Sequence, residues 1–131
     1  MVQLHEYSSW GTPYSHPTQA IKYMISHDEQ SIIQEMVEFA GYSLSEARAR
    51  DRFYATVLFT SQGIPMLWQG QEFGFKSGWL DENGNGNWDE EKLDYRPLDW
   101  SLLDSDAGQE HLEHYKKLIA LRKTCLLYTS P

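Results

Sequence analysis

The residues best suited to chemistry are His27 and Asp28, which follow an apolar, strand-prone run at 21–25 with only Ser26 between them. Parallel α/β proteins place reactive groups in this way, because their sites lie beyond the carboxyl ends of the strands. A carboxylate that accepts beside an imidazole that donates makes strong paired hydrogen bonds to the hydroxyl groups of a ligand. The structural alternative is a strand that runs into a polar, helix-capping Asp.

A second apolar run, at 64–68, is also followed by polar side chains, those of Gln69, Gln71 and Glu72. They could line the same site, or they could make loop hydrogen bonds that fix its rim. Between the two runs, the apolar spacing predicts a helix over 31–39 that ends near Gly41. The order of strand, helices and strand is typical of parallel strands joined by helical crossovers.

Two longer helices are also predicted. A capping box at 43–46 indicates a helix over 44–61, with a charged, solvated first half that includes Asp51 and an apolar second half packed on a sheet. The second helix covers 108–123 and carries an apolar stripe, formed by Leu112, Tyr115, Leu118, Ile119 and Leu121.

Composition narrows the class of protein. The chain has 131 residues, a formal net charge of −8 and a single cysteine, Cys125, so it cannot form an internal disulfide. The negative charge argues against nucleic acid and anionic membranes as partners. Its start lacks the features of a signal peptide, and polar residues interrupt its longest apolar stretch, so we expect a soluble protein that spans no membrane. The cellular compartment stays open.

The polar segment at 75–100 holds a candidate metal loop. Its oxygen-bearing residues stand at positions 1, 3, 5 and 9 of a calcium-loop pattern with glycine at position 6: Asp81, Asn83, Asn85 and Asp89. Lys92 stands where that pattern expects a bidentate Glu. The alternative to a Ca²⁺ site is a turn-rich loop of Gly and Asn with solvated charges.

Several of these segments together resemble the α-amylase superfamily, glycoside hydrolase family 13. The resemblance lies in His27-Asp28 after a strand that contains Tyr, in TSQGIPMLWQGQEFG at 60–74, in RPLDW at 96–100 and in HYKKLIALRK at 114–123. It implies an α/β fold, a (β/α)₈ TIM barrel of roughly 250 residues or more. Residues 1–123 then form the C-terminal part of the barrel, from strand 7 (21–25) and strand 8 (64–68) to helix 8. Residues 124–131 form a tail unlike the family.

The resemblance also implies an activity. Family members are retaining glycosidases or transglycosylases that act on α-glucans such as starch and glycogen, and they require no cofactor. Asp28 matches the family's carboxylate that stabilises the transition state, and His27 matches its substrate-contacting His. The nucleophile and the general acid belong to strands outside this chain, so we expect these residues alone to be inactive.

Aromatic side chains are further candidates for contact with a sugar ring. Trp79 and Trp88 lie in the polar segment and are predicted to stack on substrate, although Trp more often packs in a core. A different class of function fits the same features, namely a non-catalytic, calcium-dependent carbohydrate-binding or interaction module. Hydrolysis, debranching and branching cannot be separated, because the acceptor is chosen by subsites mostly outside the chain.

Overall fold

The computed structural model describes residues 14–76 and 97–124. In chain order, strand β1 (Ile21–Lys22) leads through helices α1 (Ile32–Glu38) and α2 (Leu44–Thr60) to strand β2 (Ile64–Pro65), and the last element is helix α3 (Asp106–Thr124). Short 3₁₀ turns cover Pro17–Gln19, Gln71–Phe73 and Trp100–Asp104. The three predicted helices are therefore confirmed, with α3 beginning two residues earlier than the pattern indicated.

Local sequence accounts for the bounds of α1 and α2. The Ser43 hydroxyl accepts from the Glu46 amide at 3.3 Å, and the Glu46 carboxylate accepts from the Ser43 amide at 3.0 Å. This is the predicted capping box, and it satisfies amides that have no partner inside the helix. The Ser43 hydroxyl and amide hold the pKa of Glu46 below its usual range. At the end of α1, Gly41 adopts a left-handed φ of 69°, which favours glycine.

The two strands pair in parallel, as the order of elements predicted, with Ile21 opposite Ile64 and Lys22 opposite Pro65. The Ile64 amide donates to the Ala20 carbonyl, and the Met66 amide donates to the Lys22 carbonyl, both at 2.8 Å. Gly63 brings the chain into this pairing with a φ of 109°, and a β-carbon there would lie 2.6 Å from the Ala20 carbonyl oxygen. The pairing therefore depends on a residue without a side chain.

The expectation of a piece of a (β/α)₈ barrel is wrong. The described residues form a small, mostly helical arrangement of three α-helices and two parallel strands of two residues each. The paired residues Ile21 and Ile64 are 61% and 53% exposed, whereas barrel strands are covered on both faces. The apolar runs at 21–25 and 64–68 were too short to distinguish strands from irregular segments that enter a core.

The core lies between α2 and α3. Its buried cluster consists of Ala55, Phe59, Tyr115 and Leu118, and Met24, Leu67 and Ile119 pack against it. Met24 and Leu67 follow β1 and β2, so the residues beyond each strand anchor the sheet to the helix pair. The stripe predicted on α3 is partly confirmed, because Tyr115 and Leu118 are buried but Leu121 is 53% exposed.

Arg122 joins the end of α3 to the end of α2. Its guanidinium donates to the Phe59 carbonyl at 2.8 Å and to the Ser61 carbonyl at 2.7 Å, and it also donates to the Gly63 carbonyl. The last carbonyls of a helix have no partner within it, and a fork of several N–H donors can serve more than one of them. Arg122 thus fixes the segment that leads from α2 into β2.

We expect Arg122→Ala to lower the free energy of unfolding by about 2 kcal/mol, because carbonyls at the end of α2 lose a charged donor. Arg122→Lys should recover only part of this loss, since an ammonium lacks the planar fork. Urea denaturation followed by circular dichroism measures both changes. Lys123→Ala, which alters the exposed neighbouring residue, is the control, and an equal loss in that variant would show that the Arg122 contacts contribute nothing specific.

Candidate functional site

His27 and Asp28 lie at the surface, in the turn that follows β1. Their side chains are 70% and 61% exposed, and His27 Nε2 is 3.5 Å from Asp28 Oδ1. The pair is therefore accessible to a ligand, and it presents a carboxylate next to an imidazole as the sequence suggested. In this geometry the two groups could bind adjacent hydroxyls of one ligand.

Ser26 and Glu29 shape the turn that carries this pair. The Glu29 carboxylate accepts from the Ser26 amide at 2.8 Å and from the Ser26 hydroxyl through the same oxygen. The Ser26 hydroxyl in turn accepts from the Asp28 amide at 3.2 Å. Sequence reasoning passed over both residues, although a Ser three positions before a Glu is a recognisable local hydrogen-bonding pattern.

Trp68 brings the end of the second strand run to the first. Its ring centroid lies 6.1 Å from that of His27, and the two planes are tilted by 44°. The polar residues after the two runs were predicted to share a site. The contact places the last residue of the second run beside His27, directly before the polar residues that begin at Gln69. Gln69 is exposed and Glu72 is half-buried, so both remain candidates for contact with a ligand.

Gln71 was predicted to bind substrate, but the structure places it inside the protein, 3% exposed. Its Nε2 donates to the Tyr115 hydroxyl at 3.1 Å, and its Oε1 accepts from the Trp68 amide at 3.4 Å. The alternative interpretation, in which this segment fixes the rim through internal hydrogen bonds, describes Gln71 as it stands in the fold.

Behind Gln71 lies a buried polar cluster between α2 and α3. The Tyr115 hydroxyl donates to Asp51 Oδ2 at 2.8 Å, and His111 Nε2 lies 2.8 Å from the same oxygen. The rings of His111 and Tyr115 are stacked with centroids 5.5 Å apart. Burial and the nearby Asp51 carboxylate raise the pKa of Tyr115 well above its usual value, so the hydroxyl keeps its proton.

Sequence reasoning missed this cluster because it counted Asp51 in the solvated half of α2. Asp51 is 1% exposed and His111 is fully buried. The signal was spacing rather than residue type. Four buried positions of α3 repeat at intervals of three and four residues: Gly108, His111, Tyr115 and Leu118. A polar residue on such a stripe is hydrogen-bonded when it is buried, and Asp51 on α2 is the partner of His111.

The predicted metal and stacking residues lie outside the described part of the chain. These are Asp81, Asn83, Asn85 and Asp89 for Ca²⁺, and Trp79 and Trp88 for sugar stacking. Within 14–76 and 97–124, no group of three or more His, Cys, Asp or Glu side chains could hold a metal ion. In the same residues, no helix has both the length and the apolar character needed to span a membrane.

The chain is similar to a pullulanase. That enzyme, from Bacillus subtilis (strain 168), is 32% identical over 109 residues, which is 82% of this chain and 14% of the enzyme's length. The chain thus spans about a seventh of the pullulanase that it matches. No family model matches the sequence, and no solved structure matches it. The similarity supports a distant link to glycosidases.

We expect Tyr115→Phe to lower the free energy of unfolding by about 1–3 kcal/mol, because the buried Asp51 carboxylate loses one donor and the buried Gln71 Nε2 loses its acceptor. The ring and its packing on Phe59 are retained, so the fold should persist. Thermal or urea denaturation measures the change. Tyr54→Phe, at a ring that is 43% exposed, is the matched control, and similar losses in the two variants would contradict a stabilising role for the buried hydroxyl.

Proposed function

We propose that this chain contributes a substrate-contacting surface to a glycoside hydrolase that acts on α-glucans. Its working residues are Asp28 and His27, with Trp68 beside them. The observation that carries the proposal is the similarity to a pullulanase, whose name denotes action on the α-glucan pullulan. The exposed Asp28–His27 pair, beside an aromatic ring, supports it because sugars combine hydroxyl groups with an apolar ring face.

In this proposal Asp28 stabilises the transition state. Glycoside cleavage passes through an oxocarbenium-like state, and hydrogen bonds to sugar hydroxyls that strengthen in that state lower the barrier. The Asp28 carboxylate accepts from such hydroxyls, while the His27 imidazole donates to the same sugar. The hydrogen bonds of Ser26 and Glu29 hold the backbone of the turn that carries both groups before the substrate arrives, and such preorganisation reduces reorganisation during the reaction.

The nucleophile and the general acid are assigned to no residue of this chain. Retaining glycosidases need two carboxylates about 5–5.5 Å apart on either side of the scissile bond. This chain contacts the substrate, and the two carboxylates that cleave the bond belong to the rest of the larger enzyme. The exposed Gln69 and the half-buried Glu72 are proposed as further contacts with the glucan.

The 131-residue chain should therefore bind α-glucan without cleaving it. We expect slower migration in native gels that contain pullulan, and no release of reducing sugar from pullulan or starch. Reducing-sugar release above the buffer level would contradict the division of roles, and unchanged migration would contradict glucan binding. Repeating the gels with a chelator tests the alternative of a calcium-dependent binding module, which predicts that the retardation disappears.

In the complete enzyme that contains this chain, we expect Asp28→Asn to lower kcat by roughly two to four orders of magnitude, because a charge that stabilises the transition state is lost. His27→Ala should cost on the order of ten- to a hundred-fold, since one hydrogen bond to the substrate is removed. Both variants should keep the wild-type melting temperature, because these side chains are exposed.

Steady-state kinetics on a soluble maltooligosaccharide measure kcat, and a melting curve for each variant measures its melting temperature. Asp104→Asn makes the same chemical change at another exposed aspartate and should leave kcat unchanged. Near-normal turnover of the Asp28→Asn enzyme, or a loss explained by unfolding, would mean that His27-Asp28 is only a structural turn.

A further inference from the structure

A continuous line of hydrogen bonds joins the buried Asp51 carboxylate to the backbone of Trp68. Asp51 Oδ2 is 2.8 Å from the Tyr115 hydroxyl, which is 3.1 Å from Gln71 Nε2. On the other side of the same amide, Gln71 Oε1 is 3.4 Å from the Trp68 nitrogen. The Gln71 backbone amide also donates to the Trp68 carbonyl at 3.1 Å. Gln71 therefore bonds both the backbone N–H and the backbone carbonyl of Trp68.

The line has a fixed direction. A tyrosine hydroxyl carries a single proton, and here that proton is given to the Asp51 carboxylate, which can only accept. The Tyr115 oxygen must then accept from its other neighbour, so Gln71 presents its NH₂ group to Tyr115. The carbonyl oxygen of the Gln71 side chain consequently points to the backbone N–H of Trp68, which needs an acceptor.

We propose that Gln71 is a positioning residue for the surface formed by His27, Asp28 and Trp68, and that Asp51 sets the orientation of the Gln71 amide through Tyr115. The role of that surface in binding sugar rests on the proposed function, whereas the positioning itself does not. Trp68 is the element that is positioned, and its ring is the one in contact with His27.

Reversal of the Gln71 amide shows why its orientation matters. In the reversed state Nε2 would face the Trp68 N–H, so two donors would meet and neither would have an acceptor. The Trp68 peptide would have to rotate or move away, and its ring would move relative to His27. The contact of His111 with Asp51 keeps the carboxylate in place, and stacking on His111 keeps the Tyr115 ring in place, so the hydroxyl stays within reach of Asp51.

A purely structural role for Gln71 predicts something different. A buried glutamine that only fills and satisfies the core would change stability when replaced, without a specific effect on the surface at His27. The two roles are separated by a local measurement at His27, compared with a variant that weakens the contact of α2 with α3 elsewhere. Thr56→Val is such a variant, because Thr56 bonds His114 and the Arg52 carbonyl and has no bond to Asp51, Tyr115 or Gln71.

The measurement is the NMR chemical shift of the His27 ring protons in the 131-residue chain, since an aromatic ring shifts nearby protons according to its position. Trp68→Leu supplies the reference value without that ring. We expect Gln71→Leu to move the His27 signals at least a third of the way toward this reference, and Thr56→Val to leave them in place. Signals unchanged in Gln71→Leu, or moved equally in Thr56→Val, would overturn the proposal.

Two further variants keep the test decisive. If Gln71→Leu does not fold, Tyr115→Phe replaces it, because that change frees the Gln71 amide and retains the packing of the ring. His27 signals at their wild-type positions in folded Tyr115→Phe would then overturn the proposal. Asp51→Asn should act in the same sense as Tyr115→Phe, since an amide at position 51 lets the hydroxyl reverse its direction.

Titration with maltotriose tests the connection to sugar separately. We expect Gln71→Leu to raise the dissociation constant about ten-fold, the equivalent of one lost hydrogen bond, and Thr56→Val to leave it unchanged. Absence of any maltotriose binding by the wild-type chain would contradict the proposed function while the ring-proton comparison still decides the positioning role. Unchanged affinity in Gln71→Leu, beside normal wild-type binding, would overturn the positioning of the sugar site.

Discussion

The carboxylate of Asp51 lies out of contact with water between α2 and α3, and much of the structure depends on how it is satisfied. A buried carboxylate is tolerated only with hydrogen-bond donors around it. Here a hydroxyl and an imidazole, both from α3, donate to a single oxygen. The need of the Asp51 carboxylate for hydrogen-bond donors thus determines which face of α3 points inward, because His111 and Tyr115 lie on that face.

This constraint extends beyond the helix pair. Tyr115 packs edge-on against Phe59 with centroids 6.1 Å apart, and it joins the cluster on which Met24 and Leu67 rest. Tyr115, which is positioned by its hydrogen bond to Asp51, is therefore also a central residue of the apolar core. The strands are too short to stabilise themselves, because a two-stranded sheet is marginal in water. Their placement follows from the helices and from the glycine at position 63.

Sequence reasoning succeeded where local chemistry decides the structure. The capping box of Ser43 and Glu46, the stop at Gly41 and the parallel order of the strands all depend on neighbouring residues or on a simple alternation of elements. It failed where the answer depends on distant partners. Asp51 and His111 are 60 positions apart, and nothing in the local composition of α2 reveals that a charged residue is buried. Gln71 was expected at the surface for the same reason, because its partner on α3 is 44 positions away.

The family resemblance assigned His27 and Asp28 to a substrate site, which stays a prediction, and it led to the wrong architecture. The apolar runs at 21–25 and 64–68 match a strand pattern over five residues each, but only two residues of each run pair as a strand, since pairing requires partners that the pattern does not describe. The similarity to pullulanase covers most of this chain but a small part of the enzyme. Similarity in sequence therefore does not establish a similar overall architecture here.

The contacts of Arg122 also have a consequence for the order of folding. They join α3 to carbonyls that lie 59 to 63 positions earlier, and the bonds of Asp51 span similar separations. Contacts between residues far apart in sequence slow folding, because the loop must close before any of them forms. During synthesis α1 and α2 emerge first, with Asp51 and the carbonyls at the end of α2 still open to water. The buried polar groups of α2 therefore find their partners only after α3 has been synthesised.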